Sequence, residues 1–133
     1  MAKQFTLGRN ERLKSRKLIE QLFKSGKSFT TFPFRVYYLS QPSSFFLQFG
    51  AGVSNKNFKK AVDRNRIKRL AREAWRLQKN ILEESLKGNN KTLSVFLIYT
   101  QKELPDYKTI YDKTGLILKK LVKIINETDS SNT

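Results

Sequence analysis

The stretch from Lys56 to Arg76 reads KNFKKAVDRNRIKRLAREAWR and contains nine Lys or Arg residues against two acids. Its net charge of +7 is nearly half of the +16 that the 133 residues carry together. Each residue of an α-helix advances by about 100°, so residues three or four apart share a face. Placed on such a helix, this stretch and the residues after it separate into an apolar arc and a basic arc.

The two arcs predict an amphipathic helix. The apolar arc consists of Leu77, Leu70, Ile81, Ala74, Ile67, Ala71, Leu82 and Trp75. The opposite arc consists of Lys68, Lys79, Arg72, Asn65, Arg76 and Arg69. One side of the helix is therefore expected to pack on a core, and the other side to face a strongly anionic partner.

The rest of the chain alternates between helical and β-type patterns. The predicted helices cover residues 16–25, 60–86 and 107–126. The predicted strands cover residues 28–30, 34–39, 45–53 and 92–99. The order is α-β-β-β-α-β-α, which indicates an α/β sandwich of a small four-stranded sheet and three helices.

Three details of the strands are predicted. Residues 40–44 separate two β-type runs and indicate a hairpin connection. Gly50 and Gly52 lie inside a strand and indicate a bulge or a close approach by another backbone or by a ligand. The run 92–99 (TLSVFLIY) is apolar throughout, which is typical of a central strand covered on both faces.

Length and charge limit the class of protein. A chain of 133 residues with 38% hydrophobic content is expected to fold as a single domain, with residues 1–11 and 127–133 flexible. Its 27 basic and 11 acidic residues give a pI near 10.3, which points to a polyanionic partner. Nucleic acid is the first candidate, and an anionic membrane surface is the second.

The residue inventory excludes several kinds of site. The sequence has no cysteine and no histidine, which rules out disulfides, thiolate metal sites and His-dependent catalysis. No metal site is predicted. The sequence has no run of about 18 apolar residues that would span a membrane. We expect a cytoplasmic protein with no membrane or small-molecule partner.

The basic helix allows three interpretations. A solvated face would normally mix charge signs, whereas Lys68, Arg72 and Arg76 follow one another in successive turns. Arg outnumbers Lys five to one between Arg64 and Arg76, and guanidinium groups bind phosphate in a bidentate way. A helix lying on a membrane would need a free apolar face, which the flanking strands are expected to cover. Nucleic-acid binding is favoured.

Residues 61–73 resemble the signature of the bacterial ribonuclease P protein component. They match the pattern A-x-x-R-N-R-x-K-R-x-x-R-E, which begins the basic helix in that family. Arg12-Leu13 with residues 22–26 is similar to the first helix of the family, and residues 52–54 with Lys56 are similar to the strand end before the basic helix. The resemblance covers roughly residues 12–100.

The resemblance implies a protein subunit of a ribozyme that removes the 5′ leader from precursor tRNA. Catalysis would belong to the RNA subunit and its magnesium, and this chain would have no catalytic residue and no cofactor of its own. The resemblance also implies a left-handed β-α-β crossover through the basic helix, against the usual right-handed rule.

Two sets of site residues follow from the resemblance. The expected RNA subunit-binding residues are Lys59, Lys60, Arg64, Asn65, Arg66, Lys68, Arg69, Arg72 and Arg76. The expected leader-binding residues are Ile19, Phe23, Tyr37, Ser54 and Lys56, in a cleft between the sheet and the first helix. Unpaired bases stack on aromatic rings with little sequence preference. The alternative for Phe23 and Tyr37 is an ordinary core position.

The chain departs from the family pattern at two positions. Ile19 stands where many members have Phe, which removes one stacking platform from the cleft. Asn55 interrupts a common lysine pair, and Lys59 and Lys60 are expected to supply its charge.

Three other functions compete with this one. The first is a different RNA- or ribosome-binding protein without a role in tRNA processing, which would not need an aromatic groove. The second is a nuclease that holds metal with its own carboxylates, but the eleven acids form no evident cluster in the sequence. A major-groove DNA reader is the third, and no helix-turn-helix pattern supports it.

Overall fold

The computed structural model describes residues 13, 16–40, 47–54, 56–89 and 91–131. Its helices are α1 (Arg16–Ser25), α2 (Ala61–Gln78), α3 (Asn80–Gly88) and α4 (Tyr107–Ser131). Its strands are β1 (Lys27–Thr31), β2 (Phe34–Leu39), β3 (Leu47–Val53) and β4 (Leu93–Tyr99). The α/β sandwich is confirmed.

The predicted flexible segment 1–11 and residues 132–133 lie outside the described residues, and the predicted flexibility stays a prediction. α4 extends to Ser131, beyond its predicted end at residue 126.

The sheet has the order β1-β2-β4-β3. β2 pairs antiparallel with both β1 and β4, whereas β3 and β4 are parallel. The predicted hairpin across residues 40–44 is therefore wrong, because β4 lies between β2 and β3. A parallel pair needs a long crossover connection, which α2 and α3 provide between β3 and β4. The left-handed sense of this crossover stays a prediction.

The main core lies between one face of the sheet and the helices α2, α3 and α4. Along β4 every second residue is fully buried, from Leu93 to Tyr99, and these side chains face the helices. Phe49 of β3 stacks on Trp75 of α2, with ring centroids 4.2 Å apart and planes 15° apart. The other face of β4 is half-buried, so the prediction of a strand fully covered on both faces holds for one face only.

The helix predicted over residues 60–86 is two helices, so the described residues contain four helices instead of the predicted three. Lys79 interrupts the pattern between α2 and α3. Its side chain, placed on the basic arc by the sequence, is only 2% exposed and lies 3.7 Å from the Glu83 carboxylate. Ile81, placed on the apolar arc, is 45% exposed. These two errors arise because a single helical wheel assumes an unbroken helix, and a break changes the direction of every later side chain. Leu77, also placed on the apolar arc, is 39% exposed although it lies in α2 before the break.

Candidate nucleic-acid interface

The position of α2 on the core fixes which of its side chains face outward. Ile67, Ala71 and Trp75 are buried, and they lie at the i, i+4, i+8 positions of one face. Because this face is packed on the core, the helix cannot rotate about its own axis. The basic residues between these positions are therefore held on the outer surface of a fixed element.

Three cations form the centre of this surface. Arg66 and Arg69 are exposed and Lys68 is half-buried. No ion pair joins any of the three to a carboxylate in the part of the chain that the structure describes. Asn65 is also exposed, and Arg72 is half-buried. We call Arg66, Lys68 and Arg69 the cationic centre of α2.

Arg76 differs from the cationic centre because its charge is already paired. Its guanidinium donates two hydrogen bonds to the Glu73 carboxylate, one of them 3.2 Å long from Nε to Oε2. The hydrogen bond from Arg76 lowers the pKa of the Glu73 carboxyl below its ordinary value. Arg76 therefore presents less net charge to a partner than the residues of the cationic centre do.

Arg64 has a structural task at the start of α2. Its Nη1 donates hydrogen bonds to the backbone carbonyls of Phe58 and Lys59, both 2.8 Å long. These bonds hold the segment that leads into the helix, where Lys59 and Lys60 are exposed. A guanidinium has five N–H donors, so Arg64 retains donors for a phosphate.

Three aromatic rings form a second cluster, on the sheet face opposite the main core. Phe23 of α1 lies 4.8 Å from Tyr37 of β2 and 5.5 Å from Phe96 of β4, centroid to centroid, in tilted arrangements. Tyr37 and Phe96 are directly paired in the β2–β4 register. We call Phe23, Tyr37 and Phe96 the aromatic cleft.

Phe23 is 42% exposed, so its alternative assignment to the core is wrong. Tyr37 is half-buried and lies outside the main core as well.

Gly50 and Gly52 make room for the ring of Phe96. A Cβ on Gly50 would lie 2.8 Å from Phe96 Cδ1, and one on Gly52 would lie 3.0 Å from Phe96 Cζ. Real Cβ atoms are rarely this close to another heavy atom, so larger residues would displace the ring. A Cβ on Gly50 would also lie 3.1 Å from the backbone oxygen of Leu13, so the predicted approach by another backbone is confirmed at Gly50, whereas the neighbour of Gly52 is a side chain. The alternative of a bulge is wrong because the β3–β4 register is continuous.

The remaining predicted cleft residues are distributed around the aromatic cleft. Ile19 is half-buried on α1, one turn before Phe23. The Ser54 hydroxyl accepts a hydrogen bond of 3.1 Å from the Lys56 backbone N–H and thereby shapes the turn after β3. Lys56 itself is exposed. Asn55 lies outside the described residues.

Two cleft residues were missed from the sequence. Phe96 joins the cluster only through the pairing of β4 with β2, which is a long-range feature. Arg35 lies two residues before Tyr37 on the same face of β2, and its Cζ is 5.4 Å from the Tyr37 ring centroid. The alternation of β2 could have indicated Arg35, because residues i and i+2 of a strand share a face.

Metal-binding and membrane-spanning features are both missing from the described residues. These residues contain no group of three or more His, Cys, Asp or Glu placed to hold a metal ion. None of the helices that the structure describes combines the length and apolar content needed to cross a bilayer. The expected absence of catalytic residues stays a prediction.

Comparisons with known proteins identify the family of the chain. The ribonuclease P family model matches residues 7–122. The ribonuclease P protein component of Porphyromonas gingivalis is 35% identical over 129 residues, which cover 96% of this chain and 92% of that protein.

Solved structures of ribonuclease P proteins share the fold of this chain. The ribonuclease P protein from Thermotoga maritima superposes with a TM-score of 0.65 at 29% identity, covering 83% of this chain and 96% of that one. The protein from Staphylococcus aureus, at 23% identity and a TM-score of 0.62, covers 82% of this chain and 93% of its own and supports the fold alone. With its basic helix and family match, the chain belongs to the ribonuclease P protein family, which acts with an RNA subunit in tRNA 5′ processing.

Proposed function

We propose that the outward face of α2 binds phosphates of the catalytic RNA subunit of ribonuclease P. The observation that carries this proposal is the cationic centre of α2, whose three charges have no carboxylate partner among the residues described. Arg66 and Arg69 can each bind a phosphate through two N–H groups. The proposed surface comprises Lys59, Lys60, Arg64, Asn65, Arg66, Lys68, Arg69, Arg72 and Arg76.

The aromatic cleft is proposed to bind the single-stranded 5′ leader of precursor tRNA. Its rings are partly exposed and lie on the sheet face away from the main core, where an unpaired base can reach them. Base stacking on an aromatic ring contributes about 1–3 kcal/mol and tolerates any base. The proposed leader-binding residues are Ile19, Phe23, Tyr37, Ser54 and Lys56.

The protein would thus supply binding and orientation for endonucleolytic removal of the leader. The RNA subunit and the magnesium ions that it binds would carry out hydrolysis, and no side chain of this chain is assigned to the chemical step. Positioning alone can accelerate a reaction by several orders of magnitude, because reactants held in the reactive orientation no longer depend on chance collisions in solution. The proposal places the protein in the cytoplasm, together with precursor tRNA.

Reconstitution tests the proposal. The purified chain is added to a bacterial ribonuclease P RNA at a magnesium concentration too low for the RNA alone to cleave precursor tRNA. We expect the chain to restore cleavage at the mature 5′ end. Its positive charge and its substrate contacts should do at low magnesium what a high magnesium concentration does for the RNA alone. Binding to the RNA without restored cleavage would contradict the proposal and favour a different RNA-binding role.

The leader contact has a separate test in Tyr37→Ala. With the ring removed, affinity of the reconstituted holoenzyme for precursor tRNA should fall about tenfold, while affinity for mature tRNA stays the same. Binding of the protein to the RNA subunit serves as the control, because Tyr37 lies on the sheet face opposite the main core and α2. Equal losses for precursor and mature tRNA would argue against the cleft.

A further inference from the structure

Arg35 lies beside the aromatic cleft, next to Tyr37. It lies on β2 two residues before Tyr37, so both side chains are on the same face, about 6.6 Å apart along the strand. Arg35 is exposed, and its Cζ lies 5.4 Å from the Tyr37 ring centroid. Cation–π attraction of this kind holds a guanidinium near a ring through its charge.

Among the described residues, the guanidinium of Arg35 has no hydrogen-bond partner. No hydrogen bond or ion pair joins the guanidinium to any other residue in the described ranges. Across the sheet, Arg35 is paired with Thr30 on one side and with Ile98 on the other, and Ile98 is paired in turn with Gly52. This row therefore contains a threonine, an isoleucine and a glycine beside one cation, with no acid in it to compete for the guanidinium.

We infer that Arg35 binds a phosphate of the single-stranded leader while Tyr37 stacks on a base adjacent to that phosphate. The inference rests on the proposed function of the cleft and adds to it a residue and a type of contact. The five in-plane N–H donors of Arg35 can bind a phosphate in a bidentate way. Phosphate and ring contacts both ignore base identity, so the pair would hold leaders of any sequence.

A purely structural role for Arg35 would be to stabilise β2 through Tyr37. Loss of affinity in a variant would not by itself separate the two roles. Neutralising individual phosphates of the substrate does separate them, because a structural role is indifferent to the charge of the leader.

The experiment uses reconstituted holoenzyme and precursor tRNAs with one uncharged methylphosphonate linkage at successive leader positions. With the wild-type protein, one position should lower affinity about tenfold, since the substitution removes the anionic acceptor of a charge-assisted hydrogen bond. Arg35→Ala should bind unmodified precursor about tenfold more weakly and should be insensitive to the substitution at that position. Arg35→Lys keeps the charge without the bidentate geometry and should fall between the two.

Lys119→Ala is the matched control, because Lys119 is exposed on α4 in the opposite layer of the sandwich. It should behave as the wild type with every precursor. Unchanged affinity of Arg35→Ala, or undiminished sensitivity of that variant to every methylphosphonate, overturns the inference alone. A wild-type holoenzyme with no preference for precursor over mature tRNA overturns the proposed leader contact as well.

Discussion

At the scale of single residues, Trp75 packs the basic helix α2 against the sheet. Its ring is fully buried and stacks on Phe49, which joins α2 to β3. In the described part of the chain its indole N–H has no hydrogen-bond partner. The residue thus combines a large gain from apolar burial with a small cost from an unpaired donor.

Substitutions at Trp75 should separate these two contributions. Trp75→Ala leaves a cavity under α2 and should lower the free energy of unfolding by about 3–5 kcal/mol. Trp75→Phe keeps much of the stacking and removes the unpaired N–H, so its loss should be clearly smaller. Urea unfolding monitored by circular dichroism measures both. Equal losses for the two variants would show that the stack with Phe49 contributes little.

The pair of Arg76 and Glu73 is a second residue-scale feature. Because the pKa of Glu73 is lowered in the fold, the pair stabilises the protein above the ordinary carboxyl range. That contribution disappears as the pH falls through the lowered pKa. Both side chains are partly exposed, so solvent screening keeps the contribution small.

Glu73→Gln should strengthen binding of the protein to the RNA subunit. The substitution removes a negative charge from the proposed interface and removes the ion pair between Arg76 and residue 73. We expect affinity to rise by about threefold at low salt, which corresponds to a fraction of a kcal/mol, with a small loss of stability. Filter binding measures the first quantity. Weaker binding would indicate that the Arg76–Glu73 pair itself orients the interface.

At the scale of elements, β3 connects the two proposed surfaces. Its glycines accommodate Phe96 in the aromatic cleft, and its carboxyl end leads through residues 54–60 into α2. A change within β3 can therefore alter the cleft without touching any residue proposed to bind the RNA subunit.

Gly52→Ala tests this role of β3. Its new Cβ would lie 3.0 Å from Phe96 Cζ and should push the ring toward the open side of the cleft. We expect affinity for precursor tRNA to fall about threefold relative to mature tRNA, which is less than the removal of a whole stacking ring would cause. Affinity for the RNA subunit should not change. Identical precursor binding by Gly52→Ala and the wild type would mean that Phe96 is not part of the leader site.

Elements defined by local periodicity were predicted well. α1 has its predicted bounds of residues 16–25, and β2 has its predicted bounds of residues 34–39. The predictions failed where the outcome depends on distant parts of the chain. Residues 40–44 look like a hairpin locally, but β4 enters the sheet between the two strands. Lys79 looks like a surface residue until the break between α2 and α3 turns it inward.

In the candidate site, too, some residues could be predicted from local patterns and others depend on distant parts of the chain. The cationic centre of α2 could be predicted from helical spacing, because the apolar arc dictates where the basic residues point. Phe23 and Tyr37 could be named through the family resemblance. Phe96 could not be assigned to the cleft without the pairing of β4 with β2, which no local pattern of the sequence contains. Arg35 could have been assigned once Tyr37 was named, because residues i and i+2 of a strand share a face.

At the scale of the whole molecule, the sandwich separates two kinds of RNA contact. The helices α2, α3 and α4 cover one face of the sheet, and α1 covers part of the other face. Folded RNA would meet the phosphate-binding surface of α2, whereas a single strand would meet the rings beneath α1. Because both surfaces belong to one packed domain, binding of the RNA subunit would fix the position of the cleft relative to the RNA.

The salt dependence of binding to the RNA subunit tests the central claim, that the cationic centre of α2 holds the RNA through phosphates. If about six phosphates are neutralised, affinity should fall by roughly 10³ between 50 and 200 mM salt. In the double variant Arg66→Ala, Arg69→Ala, the slope of log affinity against log salt should become shallower by about 0.9 for each phosphate that is no longer neutralised. The control Lys108→Ala, Lys119→Ala, with both substitutions exposed on α4, should keep the wild-type slope. A flat salt response, or equal slopes for the two double variants, would contradict the account.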